Sequence, residues 1–248
     1  MSVPRIEPAR WDAMAAALRA RVERRLVKVG ELLGGSPLSP GDGQDQAMDD
    51  YVLAIDAYTA AGKVLDEADS LLDLAGAYVL LDIAANHFAA AAARADGHKP
   101  PHASRRCFQN PLHNAAVHEH EHRRKGSGSS RSGKGRAARR DAVQPMVPVC
   151  PECLRHIKAN QMPDALVVPI VIKARRQLIT GVPVPYYALS STSSLWVATA
   201  FGALPGISDE DLVAAALRGE FRPAEPAHGR AAATGSGRVR VGLPRRWR

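Results

Sequence analysis

Val147-Pro-Val-Cys150-Pro-Glu-Cys153-Leu-Arg-His-Ile157 is the stretch on which the reading of this 248-residue chain turns. Its first residues alternate like the end of a strand, and its last residues read as a short helix opening at Cys153. Between them lie two thiols separated by two residues. A Cys-x-x-Cys turn lets two thiolates converge on one ion, and Pro151 suits such a turn. Upstream stands Cys107-Phe-Gln-Asn-Pro-Leu-His113, with the remaining cysteine of the chain. Three thiols and an imidazole make up Cys3His, a common ligand set for structural zinc. Cys107, His113, Cys150 and Cys153 are therefore the expected ligands of one structural zinc ion. The Cys-x5-His spacing departs from the usual knuckle, so His118 stays open as an alternative fourth ligand. Cys150 and Cys153 lack the thioredoxin-like strand and helix context that a redox pair needs.

Between the two ligand pairs the chain alternates twice. Asn114 to His122 puts His118, His120 and His122 on one face and Val117, Glu119 and Glu121 on the other. Ala142 to Val149 alternates through Val143, Val147 and Val149. These runs are expected to pair as a hairpin, with the basic segment 123–141 as its long loop. Two ligands on a knuckle, a hairpin, then two ligands at a helix start resembles a treble-clef zinc finger. The resemblance covers about a fifth of the chain. The same two cysteine-bearing runs look like those of an uncharacterised family of bacterial proteins that pair such a site with an N-terminal helical domain. That resemblance implies no particular activity.

The N-terminal part is read as helices. Trp11, Met14, Leu18, Val22, Leu26, Val29 and Leu33 recur at steps of three or four over residues 8–33. Gly34-Gly35, Pro37 and Pro40 end that helix, and 41–46 reads as a polar turn. A second helix is expected over 47–68, with Tyr51, Ile55, Tyr58, Val64 and Leu65 on its apolar side. Ser70 with Asp73 three positions on resembles a capping box and starts a third helix running to about 95. Its apolar run, Leu71 to Ala93, is long enough to raise the question of a membrane. Asp73, Asp82, Asn86 and His87 interrupt it and argue for a packed helix, not a span. An antiparallel bundle with an alanine-rich seam follows over residues 1–100.

Residues 101–222 then form the zinc-binding α+β module. Ala165 to Lys173 and Gln177 to Tyr187 read as strands joined through Ala174-Arg175-Arg176. Pro169, Pro183 and Pro185 mark them as edge strands. Ser193 or Ser194 caps a short helix over Leu195 to Gly202. Ser208 and Asp211 cap another over 209–219, stopped by Gly219. Residues 223–248 are rich in Pro, Ala, Gly and Arg and are expected to be a disordered basic tail. The fold class is α+β: a helical bundle followed by a small zinc-stabilised hairpin and helix module.

Composition bounds the function. The formal net charge is +8, but it is concentrated. Eight Lys or Arg and no acid lie between Arg123 and Arg140, and six Arg and no acid between Ala227 and Arg248. Outside these segments 19 basic residues face 25 acidic ones, a net of −6. A uniformly basic binding surface is excluded. Arg123, Arg124, Lys125, Arg131, Lys134, Arg136, Arg139 and Arg140 are nonetheless candidates for salt-sensitive phosphate contacts.

Two motifs nearly match catalytic signatures. His118-Glu119-His120-Glu121-His122 satisfies His-Glu-x-x-His, but Arg-Arg-Lys-Gly-Ser-Gly follows at once and no long helix holds it. Gly128 to Gly135 approaches a phosphate-binding loop, yet Gly135 stands where Ser or Thr would hold magnesium. The leading expectation is a non-catalytic zinc-binding protein acting as an interaction or assembly module, with another protein or itself as partner. A nucleic-acid-associated protein is the alternative, and a zinc-dependent hydrolase comes third. Reduced cysteines and an N-terminus without an apolar leader point to the cytoplasm.

Overall fold

The computed structural model describes residues 5–35, 45–101, 105–113, 118–121, 146–174 and 177–221. Three long helices come first: α1 (Pro8–Gly35), α2 (Asp45–Glu67) and α3 (Leu71–Ala95). Of the stripe that its periodicity predicts, α1 buries Trp11, Leu18, Val22, Val29 and Leu33, while Leu26 is half-buried and Met14 is exposed. α2 buries a seam of small residues, Ala54, Ala57, Ala60 and Ala61, ahead of Val64 and Leu65; of the other residues expected on its apolar side, Tyr51 and Tyr58 are half-buried and Ile55 is exposed. The small side chains of the seam let helix axes approach closely.

Residue pairs give the directions of the helices. Arg21 donates to the Tyr78 hydroxyl and Arg25 to Asp82, so α1 and α3 advance together. Arg19 donates to the Leu65 and Ala68 carbonyls near the far end of α2, and Tyr51 meets Phe88. α2 therefore runs against both neighbours. The brief link from Ala68 to Ser70 requires this of α2 and α3. At Ser70 the side chain accepts from the Asp73 N–H, which satisfies one of the free donors of the first turn.

α3 is the described helix long and apolar enough to cross a membrane by length and composition. Of its most apolar window, 56% is buried inside the fold. Leu74, Ala75, Val79, Leu80, Leu81, Ile83 and Ala84 are buried against the neighbouring elements. Asp73 is buried with them and accepts from the Trp196 indole at 3.0 Å.

Among the described residues the strands form two separate antiparallel pairs. β1 (His118–Glu121) pairs with β2 (Met146–Val149), placing His118 opposite Val149 and Glu121 opposite Met146. β3 (Val167–Ala174) pairs with β4 (Gln177–Pro185) around an irregularity between Ile170 and Ile172. With two strands in each sheet among the described residues, each strand has an open edge there, which tolerates Pro169 and Pro183. Ala174 pairs with Gln177, and the connecting Arg175 and Arg176 lie outside the described residues.

Ile6, two residues before α1, meets this ribbon. Ile6 N–H donates to the Gly181 carbonyl at 3.0 Å. Gly181 has φ +71, and a Cβ there would sit 2.5 Å from the Ile6 carbonyl oxygen. Glycine meets both demands at once.

Three short α-helices are also described: α4 (Pro151–Lys158), α5 (Leu195–Thr199) and α6 (Asp209–Leu217). α6 carries a complete capping box between Ser208 and Asp211. α5 stops earlier than its sequence pattern suggests. Ala200 and Phe201 take left-handed φ values of 47 and 57, turning Phe201 inward to stack on Trp196 at 5.8 Å. Burial of two large rings outweighs the local cost of that backbone. One buried cluster runs from the three long helices through Cys107, Phe108, Val147 and Val149 to Tyr186, Trp196 and Phe221. The class is α+β, helices with small antiparallel sheets.

A charged network ties α6 to α2 and α3. His87 Nδ1 lies 2.7 Å from Asp50, and its Nε2 lies 3.5 Å from Asp209. Arg94 closes on Asp50, and Arg106 on Asp209 at 3.0 Å. The hydrogen bond to Asp209 holds the His87 imidazolium above its ordinary pKa, against partial burial and with help from Asp50. Burial acts to raise Asp209, but His87 and Arg106 outweigh it and hold that carboxyl below its usual range. A raised imidazole pKa stabilises the fold fully below the ordinary value of 6.5, and the contribution fades as pH rises through the folded value. The gap in melting temperature between the wild type and His87→Gln is therefore expected to narrow as pH is raised from 6 to 9. Thermal melts at both pH values check this, and a constant gap refutes it.

Candidate metal centre

Two loops bring the cysteines together. Cys150 is the N-cap of α4, and Pro151 occupies the first helical turn, where its missing N–H costs nothing. The helix thus opens two residues before the position that the sequence pattern suggests. The Cys150 Sγ accepts from the Cys153 N–H at 3.4 Å, so capping and ligand presentation are one interaction. The second loop is the Cys107–His113 segment. The Asn110 side chain accepts from Leu112 N–H at 3.1 Å, and its carbonyl accepts from His113 N–H at 3.1 Å. This Asn-Pro turn folds the segment back so that His113 faces the helix start. Phe108 N–H donates to the Pro148 carbonyl at 2.8 Å, which holds the loop against β2.

The result is a closed group of four. One ligand atom from each of Cys107, His113, Cys150 and Cys153 lies within 4.8 Å of all the others. His113 Nδ1 is 3.5 Å from Cys150 Sγ and 3.4 Å from Cys153 Sγ. A zinc tetrahedron with ordinary Zn–S and Zn–N bonds has N···S edges of about 3.6 Å. Both His113 separations lie close to that edge, so the group could hold a metal ion. The three cysteines are buried and His113 is half-buried.

The electrostatics fit the same geometry. Burial pushes the Cys107 thiol up, opposed by N–H groups of Cys150, Asn110 and Gln109 aimed at its sulfur. Burial also pushes Cys153 well up, and the neighbouring Cys107 adds to this. At Cys150 burial acts upward too, but the Cys153 N–H and thiol and the His113 ring together hold it below the ordinary thiol value. Three thiols packed this closely cannot all shed protons without a cation among them, whereas backbone donors directed at sulfur suit the thiolate.

An aromatic wall backs the centre. The Tyr186 hydroxyl donates to the Phe108 carbonyl at 2.6 Å, and Phe108 stacks on Tyr187 at 5.3 Å. The Tyr187 hydroxyl is pushed up to about 12, chiefly by burial and then by the charges of Cys153 and Cys107. Sequence reasoning treats 186 and 187 as the end of a strand. β4 instead ends at Pro185, and Tyr186 to Ala188 form a single 3-10 turn that drives Tyr186 into the core. The paired tyrosines after a run of prolines were the available signal. Asp164, whose carboxylate lies 3.1 Å from His113 Nε2, was also missed, because no local pattern connects positions so far apart.

The other candidate residues fall elsewhere. His118 is exposed at the start of β1 and stands outside the group of four. Glu119 is exposed and ion-paired with Arg105. His118 and Glu119 lie on a strand, where successive side chains point to opposite faces, so the helical protease arrangement is absent from the described part of this run. His122, the Gly128 to Gly135 run and Arg123, Arg124, Lys125, Arg131, Lys134, Arg136, Arg139 and Arg140 lie outside the described residues, as do positions 222–248. Comparison with family models, with curated proteins and with solved structures finds no match to this chain.

Proposed function

We propose that Cys107, His113, Cys150 and Cys153 hold one structural zinc ion, and that the protein is a non-catalytic, zinc-stapled module that works by contact with another chain or a second copy of itself. The observation that carries the zinc reading is the closed quartet, with its N···S separations near tetrahedral edges and N–H donors directed at sulfur. Soft thiolates with one imidazole favour zinc over the hard cations calcium and magnesium. Four protein ligands fill the coordination shell and leave no open position for a substrate, which supports a structural role. The treble-clef likeness supports it too, since β1, β2 and α4 follow one another between and after the ligand pairs. A contact role is supported by Met48, Val52 and Ile55, which recur along one face of α2 and are exposed. A cytoplasmic setting keeps such thiols reduced.

The test is metal analysis of purified full-length protein beside Cys150→Ser. One equivalent of zinc per chain is expected in the wild type and none in the variant. A metal-free wild type that is fully folded overturns the reading.

A further inference from the structure

We propose that Asp164 orients His113 for metal binding, by accepting a hydrogen bond from its Nε2–H and leaving the Nδ1 lone pair directed at the cysteine sulfurs. This inference rests on the zinc reading of the centre. Asp164 Oδ2 lies 3.1 Å from Nε2, while Nδ1 on the other side of the ring lies 3.5 Å from Cys150 Sγ and 3.4 Å from Cys153 Sγ. A neutral imidazole carries one proton and leaves the other nitrogen bare. A carboxylate accepts and does not donate, so it draws that proton to Nε2. The bare nitrogen is then the one beside the thiols. A histidine ligand held this way keeps its ring orientation and becomes a more basic donor.

The position of Asp164 is not incidental to the loop it steers. It stands between α4 and β3, immediately before the buried Ala165 and Leu166. Leu166 N–H donates to the Gln109 carbonyl at 3.0 Å, inside the same Cys107–His113 segment. Backbone and side chain thus fasten the two segments at neighbouring points. The Asp164 side chain is itself 74% exposed, against 19% for His113. Its removal leaves neither a cavity nor a stranded buried charge, so its steering role is separable from folding.

The experiment measures zinc affinity of the full chain by competition with a chromophoric chelator, for the wild type, Asp164→Ala and Asp164→Asn. Asp164→Ala is expected to bind zinc roughly 10–100-fold more weakly. Asp164→Asn, whose amide oxygen still accepts but carries no charge, is expected to fall between. Nitrogen-15 spectra of the loaded proteins supply a readout that general destabilisation does not reproduce. They should show Nδ1 of His113 bound to metal and Nε2 protonated in the wild type, with faster Nε2–H exchange in Asp164→Ala. Equal affinities in the wild type and Asp164→Ala overturn the proposal and leave the zinc reading standing. Zinc bound with both His113 nitrogens unshifted also overturns it, while three cysteines remain as ligands. A wild type that takes up no zinc overturns the metal reading itself.

Discussion

If the quartet holds zinc as proposed, Cys153→Ser is expected to lose the ion and, with it, most of the stability of the Cys107–His113 loop, β1, β2 and α4. Cys153 is fully buried and sits in the first turn of α4. Its sulfur faces His113, and its N–H donates to the Cys150 sulfur. A serine oxygen is shorter, harder and far less acidic as a ligand, so the quartet becomes an unfilled triad. Structural zinc contributes about 10–16 kcal/mol of binding in small zinc-finger peptides, comparable to the whole stability of about 5–15 kcal/mol typical of a domain. The short elements β1, β2 and α4 have four, four and eight residues, too few to persist without a fastening.

The long helices retain their own buried contacts, so the loss is expected to be uneven. Hydrogen exchange should rise sharply over Phe108 to His113 and Val147 to Lys158, while the buried turns of α3 stay protected. A chelator should lower the melting temperature of the wild type to that of the variant and leave the variant unmoved. A variant that melts like the zinc-loaded wild type would refute this account.

The second large effect reverses an ordinary rule. Gly76 lies within α3, where Gly→Ala normally stabilises an exposed helix by about 1 kcal/mol. Here the new Cβ would lie 2.3 and 2.4 Å from the Cε2 and Cζ2 atoms of Trp196. That indole cannot simply move aside. It is fully buried, donates to Asp73 at 3.0 Å, and stacks on Phe201 at 5.8 Å and Phe221 at 6.3 Å. Gly76→Ala is therefore expected to cost about 3 kcal/mol, the upper end for overpacking. Trp196→Ala alone should cost about 3–5 kcal/mol through the cavity left behind. The double variant should cost clearly less than the sum, because the alanine methyl enters space that the indole vacates. Urea denaturation of the four proteins measures the cycle. A neutral Gly76→Ala would show that the close approach does not exist in solution.

Much of the helical architecture was legible locally. The stripe from Trp11 to Leu33 has the period of a helix, and burial follows it at every position but Met14, which is exposed, and Leu26, which is half-buried. Ser208 with Asp211 marked the start of α6 because a capping box is a four-residue interaction that needs no partner from elsewhere. Ends were read less well than starts. α5 stops at Thr199 because Phe201 has a distant core to enter, and no neighbour in sequence signals that core. The alternation over 177–187 extends two residues past the end of β4 for the same reason: Tyr186 leaves the strand to reach Phe108, 78 positions away.

The sequence by itself determined the chemistry of the centre. Three thiols and a histidine at those spacings name soft ligands, and a Cys-x-x-Cys turn converges on one point through local geometry alone. It also determined that α3 would be packed, since Asp73, Asp82 and His87 interrupt its apolar run. Only the tertiary structure decided between His113 and His118 as the member of the quartet. The choice depends on how the Asn110 turn folds back toward α4, and on which histidine the paired strand carries away. Only the tertiary structure placed Asp164 on His113 and the Tyr186–Tyr187 wall behind the sulfurs. Spacing along the chain encodes contacts a few residues apart. Contacts between distant segments arise from the burial of a shared core, which no short stretch contains.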